Sequence, residues 1–105
     1  MDVLLRIKRL VASGRYRFSR KALDELESDD LDPQDAVEAV LNAQTVLKTL
    51  RSTSPLRGPG SEKLYVIEGF NYSGELLYTK GKITRQAGEE VYYFFISSKR
   101  SRFTD

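Results

Sequence analysis

The apolar period of this chain changes near Asn42, and that change constrains the layout more than any single motif. Before it, apolar residues recur three and four apart; after it, they alternate with polar ones. Val3, Leu4, Ile7, Leu10 and Val11 follow Asp2, a candidate N-cap, and Gly14 closes the stretch. A second helix is expected behind Ser19, with Ala22, Leu23 and Leu26 inward. In "LDPQDAVEAVLNA", Asp32 is placed to cap a third helix, with Pro33 at its first position and Asp35 in its first turn. Leu31, Ala36, Val37 and Val40 supply its apolar stripe.

The alternating half reads as strands. "TVLKTLR" is a short one, and "EKLYVIEGF", "ELLYTKGKIT" and "EVYYFFISSK" are three longer ones. "NYSG" and "RQAGEE" supply hairpin turns, and "STSPLRGPGS" (52–61) reads as a mobile surface loop. Helices first and strands after predict one α+β domain over 1–105. Its N-terminal helices pack on one face of a three- to four-stranded antiparallel sheet.

Alternation then sorts side chains by face. Leu64, Val66 and Phe70 form the inward set of the first long strand, leaving Lys63, Tyr65 and Ile67 opposite. Leu77, Thr79 and Ile83 point inward from the next, leaving Tyr78, Lys80 and Lys82 together. For the last strand the assignment puts Tyr92, Phe94 and Ile96 inward and Tyr93, Phe95, Ser97 and Lys99 outward; the reverse is nearly as good. The uncovered face would show Tyr65, Tyr78, Lys80, Lys82, Tyr93 and Lys99, with Arg100 beside it. Rings interleaved with cations suit RNA, because bases stack on rings and lysines meet phosphates. An ordinary solvated sheet face has the same composition. Lys99 and Arg100 also suit a gatekeeper role beside the aggregation-prone run Tyr92 to Ile96.

Composition narrows the chemistry. The chain has no cysteine and no histidine, which rules out disulfides, ordinary zinc sites and Ser-His or Cys-His nucleophile pairs. Any catalysis falls to Lys, Arg, Tyr, Glu, Asp, Ser or Thr, and neither a metal nor another cofactor is expected. The segment Asp24 to Asp35 carries seven acidic residues and no Lys or Arg. The rest therefore sets 17 Lys and Arg against eight acids. This separation of sign suggests a positive surface opposite a negative one; a solvated acidic stretch is the alternative. No apolar run approaches membrane-spanning length, and Arg6, Lys8 and Arg9 interrupt the only stretch that begins like a signal peptide. A cytoplasmic location without membrane association is the expectation.

At "IKRLVASGRYRFSRKAL" (Ile7 to Leu23) the chain resembles the MqsR-type members of the RelE-like toxin superfamily, with a basic helix, a Gly-ended turn and an Arg-x-Ala-Leu-like helix start. The likeness continues through the capped helix to "LLYTKGKI" and "FISSKRS". It implies a metal-independent endoribonuclease that cuts messenger RNA, free or on the ribosome, and is neutralised by a cognate antitoxin protein. Carried over residue by residue, Tyr78 matches the family's sheet tyrosine, Lys99 the lysine ending the last strand and Lys48 an early lysine. The family's glutamine falls near Tyr65. The resemblance departs from related families of this fold, which carry a histidine in the second helix. A non-catalytic RNA- or protein-binding module of the same fold is the other reading.

Overall fold

The computed structural model describes residues 2–51, 62–86 and 90–102. The loop expected over 52–61 and the centre of the "RQAGEE" turn lie outside the described residues. Helix α1 spans Val3–Ala12, and the Asp2 carboxylate accepts the Leu4 N–H at 3.1 Å. Strand β1 is only Tyr16–Phe18. Helix α2, Arg20–Ser28, starts at Ser19, whose hydroxyl accepts the Ala22 N–H. Helix α3, Pro33–Asn42, opens with a reciprocal capping box between Asp32 and Asp35. Such caps satisfy amides that a helix start leaves without intrahelical partners. Strands β2 (Lys48–Arg51), β3 (Lys63–Phe70), β4 (Leu76–Gln86) and β5 (Glu90–Arg100) complete the chain order.

The chain is therefore α+β, but the sheet has five strands and is mixed, in the order β1-β5-β4-β3-β2. β1 runs parallel to β5, and the other pairs are antiparallel. Three residues are too few to show alternation, so β1 carries no periodic signal. Its position is set instead by aromatic packing: Phe18 stacks on Phe95 with centroids 4.4 Å apart, and Tyr16 meets the same ring edge-on.

One face of the sheet is covered. Ile7, Ala22, Leu26, Ala36, Ala39 and Val40 close over Ile67, Leu77, Tyr93 and Phe95 in a single core. α3 comes close enough to β3 that a Cβ on Gly69 would lie 2.0 Å from the Ala39 carbonyl oxygen. No helix among the described residues is long and apolar enough to cross a membrane.

The facing of two strands is opposite to the one that alternation assigns. In β3, Tyr65 and Ile67 point to the helices, while Leu64, Val66 and Glu68 take the other face. Glycine at position 69 interrupts the apolar set on the inward side, so the pattern favours the wrong parity. In β5, Tyr93 and Phe95 are fully buried, and Tyr92 and Phe94 face out. The covered side has room for Tyr93 because its ring lies over Gly81, whose missing side chain leaves the space. β4 matches the expectation, with Leu77 and Thr79 buried and Ile83 packed against the core.

Candidate nucleic-acid interface

The face away from the helices is organised by β4 and by an irregularity in β5. Lys80 pairs with Ser97 but Gly81 pairs with Phe95, so Ile96 is an extra residue on β5. Such a bulge shifts the alternation of the strand beyond it by one residue. Phe95 points into the core, yet Lys99 emerges on the open face, directly opposite Tyr78. The Lys99 ammonium nitrogen lies 5.5 Å from the centroid of the Tyr78 ring, within cation–π range.

The cross-strand registers build rows on this face. Glu68, Tyr78 and Lys99 lie side by side across β3, β4 and β5. The next row runs Lys48, Val66, Lys80, Ser97 across β2 to β5. Lys48 and Lys80 thus share the face at two strand spacings, about 10 Å. Val66 between them is buried although no helix among the described residues covers it. A third row places Lys82 beside Phe94 and Phe94 beside Arg17 of β1. Two further cation–ring contacts lie here, Lys82 over Phe94 at 5.9 Å and Arg17 over Tyr92 at 5.6 Å.

These cations are not equivalent. The Lys82 ammonium is held by both carboxylate oxygens of Glu62 at 3.1 Å, and its side chain is only 18% exposed. Among the described residues Lys48, Lys80, Lys99 and Arg17 have no carboxylate partner. They can therefore meet phosphate oxygens without first breaking an ion pair.

Five of the eight expected site residues thus share the open face: Lys48, Tyr78, Lys80, Lys82 and Lys99. Three do not. Tyr93 is fully buried, its hydroxyl without a hydrogen-bond partner among the described residues. Burial, and secondarily the neighbouring Tyr65, raise its pKa well above the ordinary phenol value. No base can stack on that ring. Tyr65 lies half-buried on the helix side, so it does not fill the glutamine position that the resemblance places there. Arg100 pairs with Leu77 and turns to the same side. Its guanidinium donates to the Asp29 carbonyl at 2.8 Å and forms an ion pair with Glu75. Conversely, Arg17, Tyr92 and Phe94 belong to the open face, Tyr92 and Phe94 as in the reverse assignment of the last strand. Arg17 is placed there by its pairing with Phe94, which the three-residue strand β1 gives no sign of in the sequence.

The acidic segment divides: Asp24, Glu27, Asp30 and Asp32 are exposed on the helical layer, while Glu25 and Asp29 turn to the edge of β5. Beyond Phe95 the edge of β5 has no strand partner in β1, and α2 covers it. Glu25 Oε1 accepts the Ser97 hydroxyl at 2.6 Å and the Ser98 N–H at 3.1 Å. Asp29 Oδ2 accepts the Arg100 N–H at 2.9 Å, and Asp29 Oδ1 meets Arg102 at 2.8 Å. Two carboxylates four residues apart on a helix match two amides two residues apart on a strand, both spacings being about 6 Å. Burial raises the Glu25 carboxyl, but its bonds from Ser97, Ser98 and Lys21 outweigh this and leave its pKa lowered. The Arg100 N–H is the main cause of a lowered Asp29, assisted by Arg102 against burial. The edge that would invite another strand is thereby closed, and the tail that presents Lys99 is anchored.

Among the described residues no three His, Cys, Asp or Glu side chains come together as a metal-holding group. No family model, no curated protein and no solved structure matches this chain.

Proposed function

We propose that the open sheet face binds single-stranded RNA and that the chain is a RelE-like endoribonuclease acting on messenger RNA. The observation that carries this reading is the Tyr78–Lys99 pair, set beside Lys80 and Lys48 on one uncovered face. Phosphates meet the unpaired cations, and unstacked bases lie on Phe94, Tyr92 and the Arg17 guanidinium plane.

The reaction this face suits uses the RNA's own nucleophile. The 2′-hydroxyl attacks the adjacent phosphorus and gives its proton to a base. The new O2′–P bond forms as the P–O5′ bond breaks, and the leaving 5′-oxygen takes a proton. The products are a 2′,3′-cyclic phosphate and a free 5′-hydroxyl. Lys99 and Lys80 stabilise the negative charge that builds on the phosphoryl oxygens, and Lys48 holds a neighbouring phosphate. We assign proton exchange with the reacting oxygens to the Tyr78 hydroxyl.

Such an enzyme requires neutralisation in the cell that makes it, and the resemblance implies a cognate antitoxin protein. Induced expression of the wild-type chain should arrest growth and fragment messenger RNA, while Lys99→Ala should be tolerated. Equal harmlessness of both, with the protein accumulated and folded, would remove the toxin reading.

A non-catalytic RNA-binding module is the second reading, and one observation favours it. The position assigned to the family's glutamine is Tyr65, which points away from Tyr78. RNA affinity that falls steeply with salt, with no cleavage products, distinguishes it.

A further inference from the structure

Tyr65 lies on the helix side of the sheet, where it lines a cavity remote from the open face. This cavity, about 320 Å³, opens where α1 passes the ends of β3 and β4. Arg6 comes to it from α1, Lys63 from β3 and Arg85 from β4. All three cations are exposed, and none has a carboxylate partner among the described residues. The acid that also lines the cavity, Glu62, places both its carboxylate oxygens on Lys82. Three exposed cations around one hollow, against one acid that is already paired, favour an anion there.

The rest of the lining is not that of a bare anion site. Tyr65, Ile83 and Val91 also line it, adding aromatic and apolar side chains. Behind Tyr65, the buried Tyr93 hydroxyl lies over Gly81, the cross-strand partner of Tyr65, and has no hydrogen-bond partner among the described residues. A ring-bearing molecule with a phosphate meets both parts: guanidinium and ammonium groups take the phosphate, and Tyr65 with the aliphatic side chains takes the ring. The volume lies at the lower end of the small-molecule range, enough for one nucleotide and too small for a dinucleotide.

We propose that the cavity formed by Arg6, Lys63, Tyr65 and Arg85 binds a nucleoside monophosphate. This site is on the helix-covered side, separate from Tyr78 and Lys99, and does not depend on the chain cleaving RNA.

The test is a titration of the isotopically labelled full chain with adenosine monophosphate, inorganic phosphate and adenosine, monitored by amide resonances. The nucleotide should shift residues at Arg6, Lys63, Tyr65, Ile83 and Arg85 saturably, and more tightly than phosphate or adenosine alone. Arg6→Ala and Arg85→Ala should each weaken binding about tenfold or more. Both side chains are exposed, so the variants should fold. Lys99→Ala should bind as the wild type does. Shifts centred on Tyr78, Lys80 and Lys99, equal affinity for phosphate alone, or no saturable shift would each overturn the assignment.

Discussion

Lys99 stands directly across from Tyr78, its ammonium 5.5 Å from the ring centroid, because one extra residue at Ile96 resets the alternation of β5. Without that bulge, Lys99 would share the facing of Phe95 and point into the helices. The pair is therefore a product of backbone register, not of spacing along the sequence. Lys99→Ala should cost less than about 1 kcal/mol of stability, the scale of a partly exposed cation–π contact, and Tyr78→Phe, which keeps the ring, should cost less. Lys99→Ala should weaken RNA binding and reduce the salt dependence by about one phosphate contact. Denaturant melts and fluorescence anisotropy at several salt concentrations measure the two effects.

The sequence carries the helices well, because each begins at a capping side chain with a local function: Asp2, Ser19 and Asp32 all accept the expected amides. The strand faces are another matter. Alternation gives two sets and no label for which is buried; in β5 both sets are aromatic. What decides is long-range, namely the space over Gly81 and the stack of Phe18 on Phe95. Alternation puts Lys99 on the correct face only through two offsetting errors, an inverted β5 and an unseen bulge. Tyr93 has no such second error to offset the first, so its assignment to the RNA face fails.

Close approach at two glycines yields a stability prediction. A Cβ on Gly69 would meet the Ala39 backbone oxygen at 2.0 Å, and one on Gly81 would meet the Phe94 oxygen and the Tyr93 ring at 2.6 Å. Backbone atoms cannot step aside as a side chain end does. Gly69→Ala should therefore cost about 3 kcal/mol or more, and Gly81→Ala about 1–3 kcal/mol. Urea unfolding measures both, and a Gly69→Ala variant as stable as wild type would contradict the α3–β3 packing.

Acid should loosen the C-terminal part of β5. Glu25 and Asp29 both have lowered pKa values in the folded chain, held down by bonds from Ser97, Ser98 and Arg100. Their contribution is complete above the ordinary carboxylate pKa of the unfolded chain and is lost as pH falls through the lower folded values. Stability should decline on acidification below about pH 4. Glu25→Gln and Asp29→Asn should flatten that decline and speed hydrogen exchange at the Ser98 and Arg100 amides near neutral pH.

The Tyr93 hydroxyl is buried without a partner among the described residues, so its removal should cost nothing. Tyr93→Phe eliminates a desolvated polar group and keeps the ring over Gly81. The expected change in unfolding free energy is zero to about 1 kcal/mol in favour of the variant. In a spectrophotometric titration the wild type should show a phenol ionising above the ordinary range, and Tyr93→Phe should lack it.

The proposed cleavage of RNA at the face bearing Tyr78 and Lys99 can be read from the product ends. The most direct measurement incubates purified wild type, Tyr78→Phe and Lys99→Ala with end-labelled single-stranded RNA in the presence of a chelator and resolves the product ends. Wild type should leave 2′,3′-cyclic phosphate termini, and each folded variant should cut about a hundredfold more slowly or less. Intact RNA with wild type, or a Lys99→Ala variant that cuts at the wild-type rate, would contradict the proposal.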